Sequence, residues 1–417
     1  VSEIRNLTEE HFSEFVRIST EAYPGTRVFT PEGRERAKEV LKKWLKDTRR
    51  TLYGAFRNDT LAGVISLHDF MMNVRGAKVL AGGAGSLAVE LAHKKQHVAR
   101  DLMEFYLDHY YEMGAPMAVL WPFRPDFYRR MGFGIGAKMH QYRFKPESLP
   151  VAQPGEHVRF LKPEDIPALN DCHSRLCERR TGMVEESQIG WENQFELRPN
   201  LRCVCYEDAG RIQGYLIYRF RSNNPDNFLD NDIIVDILLY ESRQVLAELL
   251  TFLRIQGDQV NRVVLSTPDD DFYVLLEDPR NGSGNLSRPV FHECHVSGVG
   301  IMYRVLNVRK MFELLADHDF GGVSVSLRLS LTDIFFPRNA GSLILCVTEG
   351  RLAVADSGPC EVDVAMDIAD FSSLFMGAVG FRSLLTYGLA EISDAGYADT
   401  VHRLFATEDK PLCLADF

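Results

Sequence analysis

Apolar positions along this chain switch repeatedly between a spacing of two and a spacing of three to four. Residues 4–7 form a short extended run, and Thr8 follows as a helix N-cap with Glu9 and Glu10 in the first turn, where the helix dipole favours anions. Phe12, Phe15, Val16 and Tyr23 keep helical spacing. Thr30 caps a second helix with Pro31 at its first position and Ala37, Val40, Leu41, Trp44 and Leu45 on one face. Strands are predicted over 51–57, 61–72 and 78–89, separated by turns at Asn58-Asp59 and at 73–76. A helix with Val98, Leu102, Phe105, Tyr106 and His109 on one face ends near Gly114. An apolar strand over 115–121, a short helix over 127–130 and a glycine-punctuated strand from Gly132 complete the series.

Residues 157–298 repeat that order of elements without repeating the sequence. A strand at 158–161 leads to a helix opened by Pro163 and carrying Ile166, Leu169, Leu176 and Cys177. Strands follow over 202–207, 211–219 and 233–239, then a helix over 243–255 and a strand over 263–267. Two successive units of one α/β architecture are expected, 1–150 and 151–298. The polar stretch 277–288 reads as a surface loop or linker. Beyond it, the pattern predicts an amphipathic helix over 302–316, a hairpin of 342–348 with 351–356, a strand over 362–368, two apolar helices within 371–392, and a tail over 410–417. Strands followed by packed helices make 299–417 an α+β domain.

Composition narrows the function classes. The 417 residues carry 47 Lys+Arg against 58 Asp+Glu, a net charge of −11, which excludes a general nucleic-acid binder and suits a small cationic partner. No apolar run is long enough to span a membrane, and the start of the sequence has no signal-peptide pattern. Eight cysteines without paired CxxC spacing point to buried thiols in a reducing cytoplasm, with no metal site.

Chemistry concentrates in AGGAGSLAVELAHKKQHVARDL, residues 81–102, and LWPFRPDFYRRMGFG, residues 120–134. A strand that runs through a loop bearing Lys94 and Lys95 into a helix offers free backbone N–H groups to a pyrophosphate. With the order of elements, these segments resemble the GNAT acetyltransferase fold, and in detail the Eis (enhanced intracellular survival) family of N-acetyltransferases. That family joins two GNAT units to a domain similar to sterol carrier proteins, over essentially the whole of this chain.

The resemblance implies acetyl-CoA as cosubstrate. Its pantetheine arm would pair with the backbone of Leu87, Ala88 and Val89. Its pyrophosphate would sit on the loop Lys94, Lys95, Gln96, His97, Val98 and Ala99, where GNAT proteins read Arg/Gln-x-x-Gly-x-Gly/Ala. Lys94 replaces the usual Arg or Gln, and His97 replaces the family glycine. Tyr128 falls where the family keeps its general acid, and a phenol with a pKa near 10 is still protonated at neutral pH. The chain ends PLCLADF, and by the same resemblance the carboxylate of Phe417, as the final residue, is the base, with Asp416 adding anionic character.

Tyr23, Phe29 and Trp44 are candidates for the acceptor wall, although Trp44 also fits a buried helix stripe. The second unit, which has neither glycine nor a basic cluster after its strand over 233–239, reads as a structural copy. The expected activity is N-acetylation of a polyamine-like acceptor such as an aminoglycoside. The other readings are a protein-lysine acetyltransferase, or a lipid carrier using apolar residues such as Phe371, Phe375 and Phe381. The resemblance also implies a homo-oligomer, a hexamer.

Overall fold

The computed structural model describes residues 2–26, 28–151 and 155–417. The chain forms two compact units, one comprising Val1–Ala137, Arg180–Val184 and Gly300–Phe417, the other Lys138–Arg179 and Glu185–Val299. In chain order the first elements are β1 (Glu3–Asn6), α1 (Phe12–Ala22), α2 (Pro31–Trp44), β2 (Arg50–Arg57), β3 (Thr60–Val74), β4 (Ala77–Val89), α3 (Val98–Glu112), β5 (Met117–Leu120), α4 (Pro125–Arg129), β6 (Gly134–Ile135) and β7 (Lys138–Phe144). Next come β8 (Val158–Phe160), α5 (Ile166–Cys177), α6 (Gln188–Leu197), β9 (Arg202–Asp208), β10 (Arg211–Ser222), β11 (Asn231–Tyr240), α7 (Arg243–Arg254) and β12 (Arg262–Thr267). A small hairpin, β13 (Leu286–Arg288) and β14 (Phe291–His292), precedes β15 (His295–Val299) and β16 (Met302–Val305).

Each unit holds a seven-stranded sheet, and the sheets exchange one strand. The first runs β1-β2-β3-β4-β5-β16-β6 and the second β8-β9-β10-β11-β12-β7-β15. Thus β7, within the range 1–150 expected of the first domain, pairs with β12 and β15. Reciprocally, β16 lies between β5 and β6. The expected helix over 302–316 is therefore corrected: Met302 to Val305 form a strand paired on both sides, and the helix α8 (Val308–Leu314) starts only after Asn307, whose Oδ1 accepts from the Lys310 N–H at 3.0 Å. All four residues of β16 are buried, and a short run buried on both faces cannot be told from a helix start by its spacing.

The end of the chain forms a third layer within the first unit. After α8 come β17 (Val325–Thr332), β18 (Gly341–Thr348), β19 (Arg351–Ala355), β20 (Val362–Asp367), α9 (Ile368–Phe375), α10 (Phe381–Thr386), β21 (Ala390–Ile392) and α11 (Ala398–Phe405). The sheet order is β19-β18-β17-β20-β21. The alternation Val325, Leu327, Leu329, Leu331 marks β17, a strand absent from the elements expected of this domain. Of the two apolar helices expected within 371–392, the second stops at Thr386 and the chain ends that stretch as β21.

The core explains why this layer docks where it does. On β3, side chains alternate between faces. Ile65 and Leu67 join Leu102, Tyr106 and Tyr110 of α3 on one face, while Phe70, Met72 and Val74 share a core with Phe371, Phe375, Leu404 and Phe405 on the other. The Arg75-Gly76 turn between β3 and β4, both residues with positive φ, carries a guanidinium into that interface. Arg75 donates to the carbonyls of Phe375 (2.8 Å), Phe405 (2.6 Å) and Ala406 (3.3 Å), at the C-terminal ends of α9 and α11 where the helix dipoles favour a cation. Burial pulls its pKa down to about 10, so it remains charged at neutral pH. Phe371, Phe375 and Phe381 are fully buried members of this core. Among the described residues no helix is long and apolar enough to cross a membrane.

Candidate active site

The site begins where β4 and β5 part. They pair in parallel from Ala81 opposite Met117 to Ala84 opposite Leu120, and β4 then continues to Val89 with β3 alone beside it. One residue of β3, Ile65, faces two of β4, Ser86 and Leu87, because Val64 pairs with Ala88 and Ser66 with Gly85. Ser86 takes φ 50° at this bulge, which bends the strand away from β5. The backbone of Leu87, Ala88 and Val89 thereby faces a cleft on the side that β5 has left. The Leu87 carbonyl there accepts a hydrogen bond of 2.5 Å from the Tyr23 hydroxyl.

From β4 the chain turns through 94–97 into α3. Lys94, Lys95, Gln96 and His97 are exposed, Ala99 is half-buried, and Val98 packs into the core. His97 caps α3 at φ 64°, and Lys95 also has φ 64°. His97 thus occupies, in place of glycine, a backbone conformation that glycine adopts without cost. The first N–H of α3 to find a helical acceptor is that of Asp101, on the His97 carbonyl at 2.9 Å, which leaves the N–H groups of the first turn available to an anion. Arg57 holds the loop from behind. Its Nη2 donates to the Gln96 carbonyl at 2.6 Å, and its Nη1 to Gln96 Oε1 at 3.2 Å. A phosphate-bearing thioester fits this frame: first-turn amides and two lysines at one end, and at the other a strand edge that β5 has left.

Tyr128 lies on α4, started by Pro125, with its ring among Phe123, Phe127 and Phe133. It is 3 % exposed, and no group among the described residues takes its hydroxyl proton. Burial pushes its pKa well above the ordinary phenol value, with the nearby Tyr23 phenol a second cause. Tyr23 packs edge-on to Phe123, so rings run from Tyr128 through Phe123 and Tyr23 to the bulge at Leu87.

Phe417 reaches the same strand two residues earlier. On this face of the sheet Gly83 and Gly85 stand beside Ser66, His68 and Phe70, and the two glycines leave a trough. A Cβ built on Gly85 would lie 2.7 Å from the Phe417 carbonyl carbon and 3.2 Å from its oxygen. The Phe417 ring packs against Phe70 (4.8 Å), His68 (5.4 Å) and Trp121 (6.5 Å). The tail leading there is fixed along its length. The Leu412 N–H donates to the Thr181 carbonyl at 2.9 Å, Cys413 is buried, and Trp121 Nε1 donates to the Ala415 carbonyl at 3.0 Å.

The other expected residues divide. Asp416 is exposed beside Phe417. Tyr23 stands at the cleft, whereas Phe29 is 55 % exposed with no ring contact among the described residues. Trp44 lies half-buried under the Arg50 guanidinium at 5.3 Å. Gly85, Trp121 and Phe123 lie in the two segments singled out in the sequence but had no role there, and Ser66 and His68 lie outside them, although the period-two spacing of 64, 66, 68 and of 81, 83, 85 put each set on one face.

In the second unit, the corresponding helix α7 is capped by Ser242, and Glu241 stands before it, held by Arg175 (2.8 Å) and Arg211 (2.9 Å). The one grouping of three metal-capable side chains among the described residues is Asp269, Asp270 and Asp271, all exposed in this second unit.

Comparison with known proteins agrees with this architecture. Residues 3–136 and 182–305 each match the pattern of an acetyltransferase (GNAT) domain, and 311–414 that of a sterol carrier protein domain. An uncharacterized N-acetyltransferase of Streptomyces coelicolor is 29% identical over 356 residues, 81% of each chain. Another, of Streptomyces avermitilis, is 24% identical over 368 residues, 84% of this chain and 85% of that one. Among solved structures, a GCN5-related N-acetyltransferase from Anabaena variabilis superposes over the whole of both chains with a TM-score of 0.82 at 17% identity. Eis1 from Mycobacterium abscessus does so with 0.77 at 20%.

The chain is thus a GNAT acetyltransferase with two GNAT domains and a C-terminal sterol carrier protein domain. Within that class it shares the full-length fold of Eis1 from Mycobacterium abscessus. GNAT acetyltransferases use acetyl-CoA.

Proposed function

We propose that the first GNAT domain transfers the acetyl group of acetyl-CoA to an amine of a polycationic acceptor, a polyamine or an aminoglycoside, with Tyr128 as acid and the Phe417 carboxylate as base. The observation that carries this reading is the seating of Phe417 against Gly85, on the strand whose edge at Leu87–Val89, left by β5 and with its Leu87 carbonyl held by Tyr23, would hold the pantetheine arm.

In the reaction the acceptor nitrogen attacks the thioester carbonyl, a C–N bond forms and the C–S bond breaks. The proton leaving the nitrogen goes to the Phe417 carboxylate, and the departing thiolate takes the Tyr128 phenol proton. A terminal carboxyl titrates near 3.3–3.7 and is ionised at neutral pH. A phenol with its pKa raised by burial keeps its proton until a thiolate arrives. Trp121, Phe123 and Tyr23 supply an aromatic rim suited to cations, and the net charge of −11 raises their local concentration.

Thiol release measured on one plate with spermine, an aminoglycoside and a lysine peptide tests the assignment. The reading expects turnover with spermine or the aminoglycoside and little with the peptide; activity on the peptide alone overturns the acceptor class. Native mass spectrometry that retains a lipid and no CoA would favour a carrier, and light scattering reads whether the chain assembles as a hexamer.

A further inference from the structure

Behind the Phe417 trough lies a buried polar pair that the reaction above does not use. Ser66 and His68 are alternate residues of β3 on the face that receives Phe417, 7 % and 3 % exposed. His68 Nε2 is 3.1 Å from Ser66 Oγ, and its ring packs against Phe70, nearly parallel at 5.7 Å, and Phe417 at 5.4 Å. Its other nitrogen, Nδ1, is buried without a partner.

That orphaned nitrogen decides the tautomer. Burial, with Arg50 next, holds the imidazole neutral by pulling its pKa down to about 3. A neutral ring has a single N–H. Placed on Nδ1 it would be a buried donor with no acceptor, a rarer and costlier state than an unpaired lone pair. The proton therefore sits on Nε2 and is donated to Ser66 Oγ. The Ser66 hydroxyl hydrogen, which has no place on His68, is free to point elsewhere. Opposite Ser66 in the register is Gly85, and one point, the Cβ position of Gly85, is 2.9 Å from Ser66 Oγ and 2.7 Å from the Phe417 carbonyl carbon.

We propose that His68 and Ser66 are positioning residues that orient the Phe417 carboxylate, His68 Nε2–H donating to Ser66 Oγ and the Ser66 hydroxyl donating to the carboxylate. The inference rests on the reading of Phe417 as the base. A donated hydrogen bond favours the charged form of a carboxylate and aims its remaining lone pairs at the acceptor ammonium. The charged groups facing His68 are Arg50, opposite it on β2, and Asp47 and Arg49 in the preceding loop, where Asp47 and Arg49 pair at 2.7 Å. From the tail come Asp416 and the carboxyl group of Phe417 itself. None of these is altered in the Ser66 and His68 variants.

The test compares pH profiles of kcat/KM for the wild type, Ser66→Ala, His68→Phe, the double variant and Ser66→Thr, which keeps a hydroxyl. Loss of the donor raises the pKa of the base, so the acid limb moves up by about half a unit or more in Ser66→Ala and His68→Phe. Turnover falls by about tenfold, with the KM for acetyl-CoA unchanged. The double variant is no worse than either single one, and Ser66→Thr restores the wild-type limb. An unmoved acid limb in Ser66→Ala, or losses that multiply in the double variant, overturns the relay. A chain extended by one residue beyond Phe417 separates the two readings. If it keeps full activity, the base assignment itself fails; if it is crippled while Ser66→Ala shifts nothing, only the relay fails.

Discussion

Phe417 lies where Gly85 has no side chain: a Cβ at Gly85 would stand 2.7 Å from the carbonyl carbon of Phe417. Such a separation is shorter than any van der Waals contact, and the neighbour is main chain, so a substituted residue 85 must displace it. Gly85→Val is expected to lower kcat by about 100-fold, the usual contribution of a general base. Steady-state kinetics check this, with circular dichroism to confirm the fold.

Tyr128 is held among Phe123, Phe127 and Phe133 by ring packing alone, so Tyr128→Phe preserves its surroundings. Turnover is expected to fall at least about tenfold while acetyl-CoA binding, read by calorimetry, is unchanged. Burial raises the phenol pKa, and an acid with a raised pKa loses activity only as pH rises through that higher value. The wild type therefore shows no descending limb from this group below about pH 10.

Arg57 and His97 make a separate prediction about the loop before α3. Removing the Arg57 donors frees Gln96, and Arg57→Ala is expected to raise the KM for acetyl-CoA several-fold while kcat at saturation holds. At His97 the backbone has φ 64°, so His97→Val, a β-branched residue forced into that conformation, costs about 1–2 kcal/mol of stability by thermal unfolding.

Arg75 serves three carbonyls in a buried interface, and no solvent replaces it there. Arg75→Met leaves those acceptors unpaired, at a cost of about 3 kcal/mol in urea unfolding. Activity falls with it, because the layer that carries Phe417 is docked through this contact.

His68 makes stability depend on acid. Its folded pKa, near 3, lies below the ordinary value of 6.5, so the unfolded chain binds a proton that the folded chain refuses. The stability tied to this group is whole above about pH 6.5 and drains as pH falls toward 3, by up to about 1.4 kcal/mol per pH unit. Urea unfolding of His68→Phe between pH 7 and 4 is expected to show a shallower loss than the wild type.

Much of the first domain was legible because its signals are local. The turns at Asn58-Asp59 and Arg75-Gly76, the Thr30 cap on Gly33 at 3.1 Å and the α3 stripe of Val98, Leu102 and Tyr106 stand where the pattern put them. The strand exchange was not legible. Spacing tells how β7 and β16 are formed, but strand pairing across some 160 residues depends on which sheet edge each strand meets. Likewise Trp121, Ser66 and Gly85 carry no motif, and their importance appears only when Phe417 is laid against them.

The sequence by itself determined the alternating elements, the basic loop entering α3, the phenol of Tyr128 and the apolar ending, since each depends on neighbours within a turn or two. Tertiary structure decided which strand completes which sheet, which proton His68 keeps and where Phe417 comes to rest. Those outcomes belong to the burial of one face of β3 against the last domain, and burial is a property of surfaces brought together from distant parts of the chain.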